Sequence, residues 1–456
     1  VEINSAGNYA YDENGSIRDR QDLIKPINMN TESQELPKGT KLNARFNFHP
    51  TNLLTQGSHT FRVTIKNPAG LIGTATTKEG FDWIPFEIIP KPTLLWQKEF
   101  EQNIGNISMT GDGKYIVVNT VPDEFDESGR NEIYMFDRAG NIVWQHSSTE
   151  YGSGASFATI SKNGNYIAVY KAIWIPGSDE LVSSDLLYLD KNGNLLWRTP
   201  EEEGLPEDFS LSDDGEYILM SAPTGNFFAS LYNKNGEKLW EKLDLTLELM
   251  AGAPIISGDG NYILIFNQLF DKRSNLLWEK DRFIGSGISN NGNIIVGEGY
   301  NARYSSIQSF NPSGNLLGEY SCKDKDEIPY PILSWNGDYI VASTNNGDKV
   351  YFLDNKCSLL WEKVYSCKEG EIIPDVRPFS IITDDGKYCA VAYRNVSIDI
   401  LNQSGNVVGQ INFESEVGKT GWGGEVVMLW STDGRYLAVT ERRGKLYLYD
   451  NSNIIK

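Results

Sequence analysis

The chain has 456 residues, of which 40% are apolar, and it is rich in turn formers, with 43 Gly and 18 Pro. This composition favours a β-rich globular protein, and no run approaches the roughly 18 apolar residues that a membrane-crossing helix needs. The net charge of −20 argues against nucleic acid as a partner, because phosphate binding requires a surplus of Lys and Arg.

Residues 1–92 form the first predicted unit, in which 10 acidic residues balance 10 basic ones. Segments 41–48 and 59–66 alternate apolar and polar residues, as half-buried strands do. The polar segment 1–35 is a candidate extended arm. The stretch 57–70, Gly-Ser-His-Thr-Phe-Arg-Val-Thr-Ile-Lys-Asn-Pro-Ala-Gly, resembles immunoglobulin-like modules of extracellular prokaryotic proteins. That resemblance implies a small N-terminal β-sandwich-like domain and a place outside the cell or in its envelope.

Two motifs alternate through residues 93–456. The first is Ser/Thr-x-Asp/Asn-Gly before an apolar run, and its eight glycines are Gly113, Gly164, Gly215, Gly260, Gly292, Gly337, Gly386 and Gly434. The second is of the type Asp-x-x-Gly-Asn-Leu-Leu-Trp, with copies ending at Trp144, Trp197, Trp240, Trp278 and Trp361. Gly318 and Gly409 replace the Trp in two further copies. Because Asp-Gly and Asn-Gly between apolar runs signal tight hairpins, each repeat should hold four strands, here called a to d.

A lone four-stranded sheet cannot bury both faces, whereas radial stacking of such sheets can. The repeats therefore predict an all-β fold with an eight-bladed β-propeller over 93–456, and seven blades are the alternative. The fourth repeat is the weakest, since 263–271 leaves almost no room for a b–c turn. The last repeat stops after its c strand, so we expect 94–100 to act as its d strand and close the ring. The recurring Tyr and Trp should pack between neighbouring blades.

The first motif looks like the repeats of TolB-type and WD-type propellers. The second resembles pyrroloquinoline-quinone-type (PQQ-like) propellers, which include noncatalytic envelope proteins and arylsulfotransferases. Both resemblances imply the fold and leave the activity open, since propellers host unrelated functions.

Residues suited to catalysis are scarce. Of three His, His49 and His59 precede the propeller and His146 follows a d strand, whereas a sulfotransferase-like site needs a His in the central channel. No Cys-x-x-Cys or His-x-x-x-His spacing suggests zinc. We therefore expect no enzyme and no cofactor. The alternative is a propeller enzyme, PQQ-type or sulfotransferase-like, with its site in the channel.

Candidate binding residues lie in the connections between hairpins. Asp123, Asp126 and Glu127 of the first b–c loop could hold Ca²⁺, or could form an ordinary solvated acidic loop. Both tight turns of a blade lie on one face of the ring, and the more variable b–c and d–a connections lie on the other. Trp174 and Trp422, in long connections of that second kind, are the predicted recognition residues; the alternative is that each packs its own loop.

Other candidate sites depend on export of the protein. Cys322 and Cys367 occupy matching Tyr-Ser-Cys-Lys tetrapeptides in neighbouring repeats and form a candidate disulfide; ordinary buried or free thiols are the alternative. Candidate glycosylation sites are Asn14, Asn106, Asn395 and Asn402. The sequence as a whole predicts a noncatalytic extracellular or cell-surface protein with a propeller as display or interaction scaffold. Its partner would be a protein, a glycan, or further copies in a surface layer or filament.

Overall fold

A computed structural model divides the chain into two compact units, Val1–Pro90 and Lys91–Lys456. The residues that it describes are 2–4, 9–11, 17–19, 58–62, 65–66, 72–73, 86–87, 90–121, 131–147, 153–174, 181–199, 208–222, 228–243, 254–300, 304–322, 328–344, 349–365, 379–393, 397–412, 426–441 and 444–455. Regular structure in these ranges is entirely strand, and none of it is a helix long and apolar enough to cross a membrane.

The first unit contributes seven short strands: β1 (Glu2–Asn4), β2 (Tyr9–Tyr11), β3 (Ile17–Asp19), β4 (Ser58–Arg62), β5 (Ile65–Lys66), β6 (Ile72–Gly73) and β7 (Phe86–Glu87). Five of them form a sheet in the order β3-β2-β1-β4-β7, and β5 pairs with β6. Three of these strands lie in the segment 1–35 for which we predict an extended arm. The immunoglobulin-like character of this unit stays a prediction.

Eight four-stranded antiparallel sheets make up the second unit, and we number these blades in chain order. Blade 1 comprises β9 (Asn103–Met109), β10 (Tyr115–Val121), β11 (Glu132–Asp137) and β12 (Ile142–Ser147). Blade 2 comprises β13 (Ser153–Ile160), β14 (Tyr166–Trp174), β15 (Leu181–Asp190) and β16 (Leu195–Arg198). Blade 3 comprises β17 (Asp208–Leu211), β18 (Tyr217–Ala222), β19 (Phe228–Asn233) and β20 (Lys238–Leu243). Blade 4 comprises β21 (Ile255–Ile256), β22 (Tyr262–Ile265), β23 (Gln268–Asp271) and β24 (Leu276–Glu279).

The second half of the ring repeats this arrangement. Blade 5 comprises β25 (Phe283–Ile288), β26 (Ile295–Tyr300), β27 (Ser305–Phe310) and β28 (Leu316–Ser321). Blade 6 comprises β29 (Pro329–Leu333), β30 (Tyr339–Thr344), β31 (Lys349–Asp354) and β32 (Leu359–Val364). Blade 7 comprises β33 (Phe379–Ile382), β34 (Tyr388–Tyr393), β35 (Ser397–Asn402) and β36 (Val407–Asn412). Blade 8 comprises β37 (Val426–Trp430), β38 (Tyr436–Glu441), β39 (Lys445–Asp450) and, from the start of the unit, β8 (Thr93–Glu99). The eight-bladed prediction is confirmed and the seven-bladed alternative is wrong.

Ring closure also follows the prediction. Strand β8 pairs antiparallel with β39, so that Trp96 lies opposite Leu448 and Glu99 opposite Lys445. The Phe100 N–H then donates to the Gly444 carbonyl at 2.7 Å. The outer strand of the last blade therefore comes from the opposite end of the unit, and the final c strand does not remain an exposed edge.

The hairpin motif is explained by its hydrogen bonds. In blade 2 the Ser161 Oγ donates to Asn163 Oδ1 at 2.8 Å and accepts the Tyr166 N–H at 3.1 Å. Gly164 closes the turn with φ of +75°, a conformation that residues with a Cβ avoid. The Ser or Thr, the Asp or Asn and the Gly of the motif thus each stabilise the turn. The side chain at the second position makes no contribution to the turn itself.

The recurrent Tyr and Trp pack between blades, as predicted. The Trp197 ring at the edge of blade 2 covers Gly236 of blade 3, where a Cβ would lie 2.9 Å from the indole. Its Nε1–H donates to the Lys234 carbonyl at 2.7 Å. Tyr166 covers Gly215 of blade 3 in the same way. These aromatic side chains therefore stabilise the junctions between blades.

Gly318 shows what happens where the Trp is missing. The facing turn of blade 6 has Cys357 at φ +56°, at a position where blade 4 has Ser274 and five other blades have Gly. A Cβ on Gly318 would lie 1.8 Å from the Lys356 carbonyl oxygen. Strand β28 of blade 5 and the c–d turn of blade 6 approach so closely here that Gly replaces Trp.

Blade 4, the weakest repeat in the sequence, has the tightest b–c connection. Strand β22 ends at Ile265 and β23 begins at Gln268, so that two residues make the turn. Phe266, the first of them, adopts φ of +52°.

Candidate functional site

The site residues predicted from the sequence lie mostly beyond the described ranges. Trp174 ends β14, where its backbone pairs with Leu181. Trp422, Asp123, Asp126 and Glu127 lie outside the described residues, so the recognition and Ca²⁺ assignments stay predictions. Within those ranges, no three His, Cys, Asp or Glu side chains are grouped closely enough to hold a metal ion.

The predicted disulfide and glycosylation sites are equally untested. Cys322 is buried and Cys367 lies outside the described residues, as do Asn14 and Asn395. Asn106 joins blades 1 and 2, because its Nδ2 donates to the Ala158 carbonyl at 2.9 Å and its Oδ1 accepts the Ala158 N–H at 3.2 Å. The Asn402 Oδ1 accepts N–H groups of its own c–d turn, those of Ser404 at 3.0 Å and Asn406 at 3.1 Å. His146 lies on an outer strand, with Nε2 at 3.1 Å from the Gly193 carbonyl.

The second residues of the eight a–b turns converge at one end of the central channel. We call the face with the tight turns the turn face, and this set of residues the turn-end ring. Its members are Gly111, Lys162, Asp213, Gly258, Asn290, Trp335, Asp384 and Thr432. Backbone hydrogen bonds between these turns join neighbouring blades, for example from Gly111 N–H to the Lys162 carbonyl at 2.8 Å and from Asn290 N–H to the Trp335 carbonyl at 2.8 Å.

Side chains from opposite blades meet across this ring. The Lys162 ammonium of blade 2 lies 4.1 Å from the centre of the Trp335 ring of blade 6, four blades away. It also lies 2.5 Å from Asp384 Oδ2 of blade 7. The Trp335 Nε1–H donates to Asp213 Oδ2 of blade 3 at 3.0 Å. An ion pair, a cation–π contact and a hydrogen bond therefore span the channel at its turn end.

Glycine makes room for this arrangement. A Cβ on Gly258 would lie 2.6 Å from Trp335 Cζ2 and 2.8 Å from Asp213 Oδ2. Burial raises the pKa of Asp213, although the nearby Lys162 ammonium and the Trp335 hydrogen bond lower it. The Asp213 carboxylate is thus held in place at a desolvation cost.

The residues that line the channel can be inferred from the alternation of buried and exposed positions along the inner strands. In blade 2, Ala158 and Ile160 are 0% and 5% exposed, whereas Phe157 is 38% exposed and Thr159 is half-buried. In blade 7, Ser380 is buried beside Phe379, which is 39% exposed. Because the inner strand is the strand of each blade nearest the ring axis, we infer that its exposed alternate positions face the channel.

Two further rings therefore line the channel. The middle ring, two residues before each turn Ser or Thr, consists of Ser108, Thr159, Ser210, Ile255, Gly287, Ile332, Ile381 and Leu429. The loop-end ring, four residues before it, includes Asn106, Phe157, Tyr330, Phe379 and Val427. A bulge in β25 breaks the pattern in blade 5, where Gly285 is buried against Leu264 of blade 4. Blades 1 to 3 give the middle ring polar side chains, and blades 6 to 8 give it aliphatic ones.

Register places the aromatic residues of the loop-end ring at one level. Phe157 pairs with Tyr170, Tyr330 with Ser343 and Phe379 with Ala392, each partner nine residues after the turn Ser or Thr. Five residues separate this ring from the turn-end ring, about 16 Å of extended chain.

Charge distinguishes the two kinds of connection between the strands of the propeller. With the strand bounds above, the a–b and c–d turns contain 10 acidic and 10 basic residues. The b–c and d–a connections, which leave from the opposite face, here called the loop face, contain 25 acidic and 12 basic residues. The larger part of the net charge of −20 therefore belongs to the b–c and d–a connections.

Comparison with known proteins gives the fold and no closer relationship. No family model matches the chain. It is similar to the C-terminal WD40 domain of Sif2, with TM-score 0.57 and 11% identity over 80% of this chain and 99% of that one. The chain is an eight-bladed β-propeller. It also resembles BamB from Moraxella catarrhalis, with TM-score 0.50 and 15% identity over 79% of this chain and 99% of that one.

A third similar structure contains a bound segment. It is Sqt1 from Chaetomium thermophilum bound to the N-terminus of the ribosomal protein L10, with TM-score 0.56 and 10% identity over 79% of this chain and 100% of that one. WD-type propellers and BamB thus both occur among the structural neighbours, in agreement with the two repeat resemblances. At these identities the likeness concerns the fold alone.

The turn-end ring is the feature that the sequence did not reveal. Its signal is the second position of the turn motif, which varies as Gly, Lys, Asp, Gly, Asn, Trp, Asp and Thr while its neighbours repeat. A Trp and a Lys at a position whose side chain does not stabilise the turn indicate that these residues make contacts outside it.

Proposed function

We propose that this chain is a noncatalytic binding protein whose propeller holds a basic segment of a protein partner at its loop face. The charge distribution carries the proposal, with 25 acidic against 12 basic residues in the connections of that face and 10 against 10 in the tight turns. An excess of one sign on one face attracts and orients a partner of the other sign.

The structural neighbours support a protein as partner. The Sqt1 propeller was solved with the N-terminus of the ribosomal protein L10, a segment of another protein. A glycan, or further copies in a surface layer or filament, are the competing partners. A place outside the cell or in its envelope, with the N-terminal unit as an immunoglobulin-like stalk, belongs to the same proposal and rests on the sequence resemblance.

The channel chemistry supports a binding role over an enzymatic one. His146, the one His in residues 93–456, lies on an outer strand. Lys162, Asp213 and Asp384 are engaged with Trp335 or with each other at the turn end. The middle ring contributes Ser, Thr and aliphatic side chains, which suit contact with a ligand better than proton transfer.

The test measures binding of a deca-lysine peptide by calorimetry, with two matched triple variants. The first, Glu201→Gln with Glu202→Gln and Glu203→Gln, removes three charges from one d–a connection. The second, Glu216→Gln with Glu237→Gln and Asp338→Asn, removes three charges from the turn face.

We expect the first variant to bind about tenfold more weakly, since three exposed pairs contribute about 0.5 kcal/mol each, and the second to bind like the wild type. The affinity should fall with added salt. Equal weakening by both variants, or no binding by the wild type, would contradict the proposal.

A further inference from the structure

The loop-end ring exposes more aromatic surface than a strand interior normally leaves in water. Phe157, Tyr330 and Phe379 are 38%, 48% and 39% exposed, although each lies in the innermost strand of its blade. Large apolar surface exposed in a concave place marks a binding site more often than it marks a fold requirement.

The wall below these aromatics is divided into two arcs. Ile332, Ile381 and Leu429, each partly buried against the core between two blades, form an apolar arc on blades 6 to 8. Tyr330 and Phe379 lie two residues before Ile332 and Ile381 in the same inner strands. On the adjoining blades 1 and 2, Ser108 Oγ and Thr159 Oγ1 are hydrogen-bonded to each other at 3.0 Å. The arc of blades 6 to 8 therefore offers apolar contact, while the polar side chains of Ser108 and Thr159 already have partners.

The turn-end ring closes the far end of the channel. Lys162 and Trp335, from opposite blades, are 4.1 Å apart, and the Lys162–Asp384 pair lies beside them. A ligand in the channel that lies against the aromatic residues would therefore have these side chains about 16 Å of extended chain away on the turn side.

We propose that this blind channel is an anchor site for one large apolar side chain carried by the basic segment, an inference that rests on the proposed function. The acidic connections attract the flanking cations of the segment. The aromatic residues of the loop-end ring, Phe157 included, bury the anchor together with the apolar arc of blades 6 to 8. Aromatic anchors in pockets dominate binding energies because they remove large apolar areas from water while few rotatable bonds are fixed.

The experiment uses two probe peptides, acetyl-Lys-Lys-Trp-Lys-Lys-amide and its analogue with Ala in place of Trp. We expect the wild type to bind the Trp peptide at least about tenfold more tightly than the Ala peptide. The double variant Phe157→Ala with Phe379→Ala should lose that preference and still bind the Ala peptide in a salt-dependent manner.

The matched control removes exposed apolar surface elsewhere. Leu195→Ala with Leu276→Ala truncates two side chains that are 54% and 50% exposed on outer strands. This variant should keep the full preference for Trp. If the double alanine variant at Phe157 and Phe379 does not fold, the double variant Phe157→Leu with Phe379→Leu replaces it. This variant retains part of the apolar surface and should show an intermediate preference for the Trp peptide.

The outcomes separate the anchor from the proposed function. A preference for Trp that survives loss of Phe157 and Phe379, or equal binding of both peptides by the wild type, overturns the anchor and leaves the proposed function standing. No binding of either lysine peptide overturns both. A Glu-flanked Trp peptide that binds as tightly as the Lys-flanked one overturns the basic partner and leaves the anchor.

Discussion

Substitution of Trp96 by Ala tests whether β8 closes the ring in solution. Trp96 is half-buried, covers Gly140 of blade 1, and donates its Nε1–H to the Arg138 carbonyl at 2.8 Å. A fully buried Trp costs about 3–5 kcal/mol on truncation, so a half-buried one costs about 2 kcal/mol. The lost hydrogen bond adds about 1 kcal/mol.

The expected loss of about 3 kcal/mol in the free energy of unfolding corresponds to a shift in melting temperature. A unit of roughly 370 residues unfolds with an entropy near 0.8 kcal/mol/K, so Tm should fall by about 4 °C. Trp197→Ala is the matched control, because Trp197 makes the same contacts at an internal junction, to Gly236 and the Lys234 carbonyl. Calorimetry should give similar shifts for both variants. A shift near zero for Trp96→Ala with about 4 °C for Trp197→Ala would refute closure by β8.

Four further predictions concern single features. Because burial raises the pKa of Asp213, the wild type loses stability as pH rises from about 4 through that raised pKa. Asp213→Asn should therefore raise Tm relative to the wild type at about pH 8 and not at about pH 3; the same difference at both pH values would contradict this. Gly318→Ala places a Cβ 1.8 Å from the Lys356 carbonyl oxygen and should lower the free energy of unfolding, measured by urea denaturation, by about 3 kcal/mol. An unchanged urea midpoint would show that strand β28 and the c–d turn of blade 6 separate freely. Trp174→Ala with Trp422→Ala should weaken deca-lysine binding and leave Tm nearly unchanged; a steep fall in Tm with unchanged binding would assign both residues to packing. Elemental analysis and absorbance of the purified protein should show no transition metal or quinone, and either one would favour the enzyme alternative.

The fold could be predicted because the sequence of each blade contains its own hairpin signals. The turn Ser, the Asp or Asn and the glycine satisfy hydrogen bonds inside one hairpin, so that eight copies give eight hairpins whatever their surroundings. Ring closure was also visible, because β8 repeats the pattern of an outer strand that the last repeat lacks. Gly318 was visible as an exception, and its cause became clear only when the Lys356 carbonyl was located beside it.

The candidate site could not be predicted in the same way. Lys162 and Trp335 are 173 residues apart in the chain and meet because the closed ring places blades 2 and 6 opposite each other. The exposed Phe157 and Phe379 look in sequence like any apolar residue of an inner strand. Their exposure depends on which alternate positions face the channel, and that is a property of the assembled ring.

The central claim is that a basic segment binds at the loop face with its apolar anchor in the channel. The most direct test replaces the Trp of the probe peptide by benzoylphenylalanine and locates its photochemical cross-links by mass spectrometry. We predict cross-links to the inner strands of blades 2, 6 and 7, at or beside Phe157, Tyr330 and Phe379. Cross-links concentrated on the tight turns, at residues such as Asn192 and Ser313, would contradict the account.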